Sequence, residues 1–99
     1  MALMQLTVIP IGTATPSVGD HVAAIHEVLA TAGFPYELHD MGTLIEGEVG
    51  PLLALAARLH ALSFDRGVQR VVTQIVVDER RDKKISMGDK TASVRRRLA

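Results

Sequence analysis

The sequence predicts an α+β domain in which two helices cover one face of a four-stranded antiparallel sheet and a third helix follows at the C-terminus. Three observations lead there. Leu3–Ile11, Gly42–Glu48 and Val68–Asp78 are rich in Val, Ile, Leu and Thr and end at Gly or charged residues, as strands do, and Phe34–Asp40 supplies a fourth. Two longer stretches carry a single apolar stripe at steps of three and four, as amphipathic helices do. The order is strand, helix, strand, strand, helix, strand, helix, and the two middle strands are joined too tightly for a crossover.

Leu3–Ile11 (LMQLTVIPI) reads as the first strand, and Pro10, which cannot donate to a ladder, belongs at its end or on an edge. Residues 12–16 (GTATP) form a loop. Ser17 then opens a helix, with Asp20 three residues on as a variant capping box. Val18, Val22, Ile25, Leu29 and Ala32 make its stripe, and Gly33 ends it. Phe34–Asp40 and Gly42–Glu48 read as a hairpin turning near Asp40-Met41-Gly42.

Pro51 suits the first turn of a second helix, striped by Leu52, Leu55, Ala56, Leu59 and Leu62 and stopped by Gly67. Val68–Asp78 (VQRVVTQIVVD) is the clearest strand, and Glu79–Lys84 is a charged turn. Ser86 with Asp89 caps a last short helix striped by Met87, Thr91, Val94 and Leu98. The result is a ferredoxin-like βαββαβ sandwich with an added C-terminal helix, one domain over residues 1–99.

On the last strand, Val71, Thr73, Ile75 and Val77 face one way and Arg70, Val72, Gln74 and Val76 the other. Both sets are apolar in the middle, so the sheet's second face calls for a cover: the last helix, another subunit, or both. Association also suits the composition. Hydrophobic residues make up 47% of the chain, but the only aromatics are Phe34, Tyr36 and Phe64, so the core is built of small aliphatic side chains and is thin.

Eleven basic residues balance eleven acidic ones, which leaves no overall field to draw nucleic acid or an anionic membrane. The chain is nonetheless markedly basic from Arg80 onward, ending in Arg95-Arg96-Arg97. Cations there suit the negative pole of a helix, and contact with a polyanion is the other use. The absence of cysteine removes disulfides, thiolate metal sites and cysteine nucleophiles. No apolar run reaches the roughly 18 residues of a membrane helix, and the first ten residues lack a signal-peptide layout, so the expected compartment is the cytoplasm.

Several segments in order carry a resemblance: Val8-Ile9-Pro10-Ile11-Gly12-Thr13, Tyr36-Glu37-Leu38, residues 41–47 (MGTLIEG), residues 67–73 (GVQRVVT) and Asp78-Glu79-Arg80-Arg81-Asp82. Together they resemble the small prokaryotic thiamine-binding protein family, over nearly the whole chain. The chain departs from that family's usual pattern at Asp40, where members commonly carry Pro. The resemblance implies a ferredoxin-like fold assembled into dimers or tetramers through sheet faces. It implies thiamine or hydroxymethylpyrimidine as ligand, and no catalytic activity.

A site for thiamine needs a carboxylate, hydroxyl or backbone partners and an apolar wall. Glu46 is the first candidate: Glu is depleted in strands, yet this one ends Thr43-Leu44-Ile45 and precedes Gly47. It suits the pyrimidine amino group or the thiazolium charge, and equally a solvated strand end or a salt bridge. Thr13 and Thr43 each follow a glycine that lets backbone approach a ligand, although ordinary turn chemistry explains them too. Met41 offers an apolar wall and Tyr36 a ring with a polar tip, unless both are core; Glu37 is a further carboxylate on the hairpin. Arg80-Arg81-Asp82 suits phosphate, a charged turn or an intersubunit bridge. His21, His26, His39 and His60 show no metal-ligand spacing, so no metal and no cofactor is expected.

Enzymes are the first rival, since this fold hosts many chemistries. The chain has no serine elbow, no phosphate loop and no matched His–carboxylate pair, and residues 12–16 (GTATP) stand where an acylphosphatase-like loop is needed. RNA recognition on the same strand order requires rings on the central strands, and Leu3–Ile11 and Val68–Asp78 hold none. A structural or regulatory oligomer without a thiamine ligand is the remaining alternative.

Overall fold

In a computed structural model, residues 1–14 and 19–99 of the chain are described. Strand β1 spans Ala2–Ile11, helix α1 Gly19–Ala32, β2 Tyr36–His39, β3 Gly42–Gly47, α2 Val49–Leu62, β4 Arg70–Glu79 and α3 Asp89–Leu98. The sheet order is β2-β3-β1-β4 and every neighbouring pair is antiparallel. This is the ferredoxin-like α+β arrangement the sequence predicts, with the C-terminal helix in addition. The proposed cap at Ser17 and the first stripe residue, Val18, lie outside the described residues.

The even-numbered residues of β1 face the helices. Ala2, Met4 and Leu6 are buried there with Ile45 of β3, Ile25 and Leu29 of α1, and Leu52, Leu55, Ala56 and Leu59 of α2. Both helical stripes are therefore spent on one face, and each fully buried aliphatic side chain contributes about 1.5–3 kcal/mol. Gly33 and Gly67 have φ of +86° and +87°, the left-handed conformation for which glycine is selected at helix ends.

Several boundaries differ from the sequence reading by a residue or more, four of them for a backbone reason. Strand β2 is shorter than Phe34–Asp40, because Pro35 has no N–H to give and Asp40 already turns; the Pro35 carbonyl accepts from the Glu46 N–H at 3.0 Å. Gly67 stops not α2 but a short 3-10 turn, Phe64–Arg66, that follows it. The Val68 N–H bonds back to the Ser63 carbonyl at 3.4 Å, so β4 starts at Arg70. Helix α3 starts at Asp89 rather than Ser86, and Asp89 Oδ2 accepts the Ser86 N–H at 2.8 Å.

Much of the second face of the sheet stays open, and only residues 85–91 come up against it, near Leu3, Glu46 and Asp78. Helix α3 has no buried residue, and Val94 and Leu98 of its expected stripe are 53% and 80% exposed. On β1 and β4 the open face shows Ile9, Ile11, Val72 and Val76.

Candidate functional site

The lengths of the strands create the site. Strand β1 has ten residues, but its ladder with β3 runs only from Ala2 to Leu6, opposite Gly47 to Thr43. Beyond Leu6, β1 keeps β4 on one side and has no strand on the other. Pro10 falls in this stretch, where its missing donor costs nothing on the open side. The β2–β3 hairpin tip, Asp40-Met41, closes over the start of the gap, and Val22 and Ile25 of α1 form a wall. The result is a cavity of about 570 Å³.

Two contacts fix the hairpin tip. Thr7 Oγ1 donates to the Met41 carbonyl at 3.0 Å. Gly42 lies so close to β1 that a Cβ there would stand 2.7 Å from Thr7 Oγ1 and 3.0 Å from the Leu6 carbonyl oxygen, so only glycine permits the approach. The lining is mostly apolar, from Leu6, Val8, Ile9, Ile25, Leu38 and Met41, with polar groups from Thr7, His39, Asp40 and Thr43. Leu38 and Met41 are 59% and 82% exposed at the rim. Large apolar side chains held in water around a concavity mark a place where something binds.

The structure brings two of the six proposed residues, Met41 and Thr43, into this cavity. Thr43 is buried, with its hydroxyl 3.4 Å from His26 Nε2. The His26 ring meets Tyr36 edge to face, centroids 5.5 Å apart, so Tyr36 supports the site through His26 without lining it. Glu37 lies 3.2 Å from Nε2 of His39, a lining residue, and so stands one step away. Thr13 is elsewhere, in a separate concavity of about 480 Å³ shared with His21, Arg66 and Arg70. Glu46 is also elsewhere: it faces the open side of the sheet, and its Oε1 accepts the Met87 N–H at 2.8 Å, tying the approach to α3 onto β3.

Sequence reasoning missed Thr7 and His26. His26 lies four residues after Val22 and three before Leu29, on the helix face that meets the sheet, and that spacing was the available signal. Among the described residues no group of His, Asp or Glu could hold a metal ion. The marked electrostatic perturbation lies far from the hairpin: Arg80 forks onto Asp82, and this hydrogen bond holds the Asp82 carboxyl down at about 2. No helix among the described residues is long and apolar enough to cross a membrane.

Fold and cavity together define a ferredoxin-like α+β protein with a largely apolar cavity at the mouth of its central hairpin. The chain belongs to the thiamine-binding protein family, whose model matches residues 4–95. It is 43% identical to the UPF0045 protein YqgV of Bacillus subtilis, over 99% of this chain and 98% of that one. The crystal structure of a hypothetical protein from Methanocaldococcus jannaschii superposes with a TM-score of 0.85 at 28% identity, covering 94% of each chain. A Thermotoga maritima structure, described as a candidate thiamine biosynthesis or salvage protein, gives 0.78 at 19% identity over 94% of this chain and 97% of that one, a likeness of fold alone.

Proposed function

We propose that this protein binds thiamine or its hydroxymethylpyrimidine half in the hairpin cavity, without catalysing a reaction on it, and acts as a homo-oligomer. The observation that carries the reading is the cavity itself: apolar walls, exposed apolar rim residues and a few polar groups, in a member of the thiamine-binding protein family. A flat aminopyrimidine suits the Met41, Leu38 and Ile9 side chains, and Asp40 and the Glu37–His39 pair supply carboxylate charge near a thiazolium cation. Of the six candidates, Met41 and Thr43 are direct contacts in this proposal, Tyr36 and Glu37 hold His26 and His39, and Thr13 and Glu46 serve elsewhere.

The test is a thermal shift of the purified protein with thiamine and with hydroxymethylpyrimidine. Ligand at about 100 times its dissociation constant stabilises the folded state by about 2.7 kcal/mol, which is at least several degrees for a domain of this size. Met41 is exposed, so Met41→Ala leaves folding intact while removing cavity wall; the shift should then need roughly tenfold more ligand. A folded protein that shifts with neither compound refutes the proposal.

A second reading, a structural or regulatory assembly without this ligand, is favoured by the open sheet face. Ile9, Val72 and Val76 stand 36%, 39% and 63% exposed there, an apolar surface that a second copy, in a dimer or tetramer, would cover. Sedimentation of wild type against Val76→Lys tests it: a single copy in both would end that reading.

A further inference from the structure

The chain as a whole carries no net charge, yet its cations are not spread evenly. Where the end of β4 passes under α3 there is a cleft of about 570 Å³. Six cationic side chains line it, Arg80, Lys83, Lys84, Lys90, Arg96 and Arg97, against two carboxylates, Asp78 and Asp89. Both carboxylates are already engaged: Asp78 takes Lys90 at 3.1 Å, and Asp89 accepts the Ser86 N–H. Arg80 is occupied by Asp82. Among the described residues, Lys83, Lys84, Arg96 and Arg97 have no ion-pair partner within 4 Å, and of the four only Lys83 acts at longer range on a carboxylate, that of Asp82.

The helix dipole does not account for this arrangement. It favours cations in the last turn of α3, and so explains Arg96 and Arg97. Lys83 and Lys84 come from a different segment and converge on the same concavity. That segment is pinned by Ile85, which is 8% exposed and, with Leu3, gives the cleft an apolar floor. The Ser93 hydroxyl adds a neutral donor.

We infer that this cleft is a binding site for a small organic phosphate: two lysines and two arginines from opposite walls grip the phosphate oxygens, and the apolar floor takes the organic part. A nucleic acid strand fits less well. The unpaired cations ring a concavity instead of forming a track, and no aromatic side chain lies beside them for a base to stack on. The inference stands apart from the hairpin cavity, which shares no lining residue with the cleft.

Isothermal titration of the full chain with phenyl phosphate, pyrophosphate and inorganic phosphate at 0.15 M salt tests it. Phenyl phosphate should bind saturably, one per chain, and more tightly than inorganic phosphate. Lys84→Ala with Arg96→Ala removes one exposed cation from each wall and should weaken that binding roughly tenfold or more. Met41→Ala should leave it unchanged, so failure here and failure of the thiamine reading are told apart. No binding, equal binding by the double variant, or affinity that rises with oligonucleotide length and falls steeply with salt would each overturn the inference.

Discussion

Replacing Gly42 by alanine tests the contact that shapes the hairpin cavity. The new Cβ would stand 3.0 Å from the Leu6 carbonyl oxygen and 2.7 Å from Thr7 Oγ1. The threonine hydroxyl can rotate away, at the cost of its bond to the Met41 carbonyl. The Leu6 carbonyl cannot, because it belongs to the central strand. Relief therefore requires the hairpin to lift from β1 by several tenths of an ångström. Overpacking of this kind costs about 1–3 kcal/mol, and losing the Thr7 bond adds about 1 kcal/mol. For a domain of this length each kcal/mol moves Tm by about 4–8 °C, so Gly42→Ala should melt roughly 8–30 °C lower. The measurement is calorimetry at fixed protein concentration, since association would make Tm concentration-dependent. Gly50→Ala is the steric control: nothing lies within 4 Å of that Cβ in the first turn of α2, so the change should cost far less than Gly42→Ala. A Gly42→Ala protein melting within 2 °C of wild type (about the shift of a neutral surface change) would refute the close approach and the cavity wall built on it.

Leu59 is fully buried between α2 and the sheet, so Leu59→Ala should lower the unfolding free energy by about 2–5 kcal/mol in a denaturant titration; a loss below 1 kcal/mol would contradict its place in the core. Glu46→Ala removes the acceptor of the Met87 N–H, so hydrogen exchange should quicken over residues 87–98 and not in β1, while ligand binding at the hairpin persists. Loss of ligand binding with exchange unchanged would return Glu46 to the ligand. The Asp82 carboxyl, lowered by its bond to Arg80, should titrate by NMR near pH 2 instead of near 3.9. Because its folded value is depressed, whatever stability this fork adds is fully present above pH 4 and is lost as pH falls through about 2; a midpoint at the ordinary value would remove it.

The fold was legible because each layer of the pattern agreed. Stripes at Ile25–Leu29 and Leu52–Leu59, and alternation along β1, demanded a sheet with helices on one side. What periodicity could not supply were ends set by single hydrogen bonds, such as Val68 to Ser63, or by two adjacent turns, as at Ser63–Gly67. The site was legible only in part. Alternation along β3 places Thr43 and Ile45 on the helix side and Glu46 on the open side, so Thr43 and Glu46 of one chain face opposite ways. Thr7 escaped notice because its role depends on where the β3 ladder stops, which is a length difference between strands distant in sequence.

The two cavities lie at opposite ends of β1, and that spacing decides whether one ligand can use both. The basic cleft touches the strand at Leu3 and the hairpin cavity runs along it from Leu6 to Ile9. Three to six residues at about 3.3 Å each put roughly 10–20 Å of strand between the two linings. The two linings share no residue, so a ligand seated in one leaves the side chains of the other free. The two sites should therefore fill independently. Saturating pyrophosphate should leave the affinity for thiamine unchanged, and thiamine should leave that for pyrophosphate unchanged, since linkage requires the two effects to be equal. Competition in such a titration would mean that the two linings are reached by one ligand, along β1 or where one chain's cleft meets another chain's hairpin.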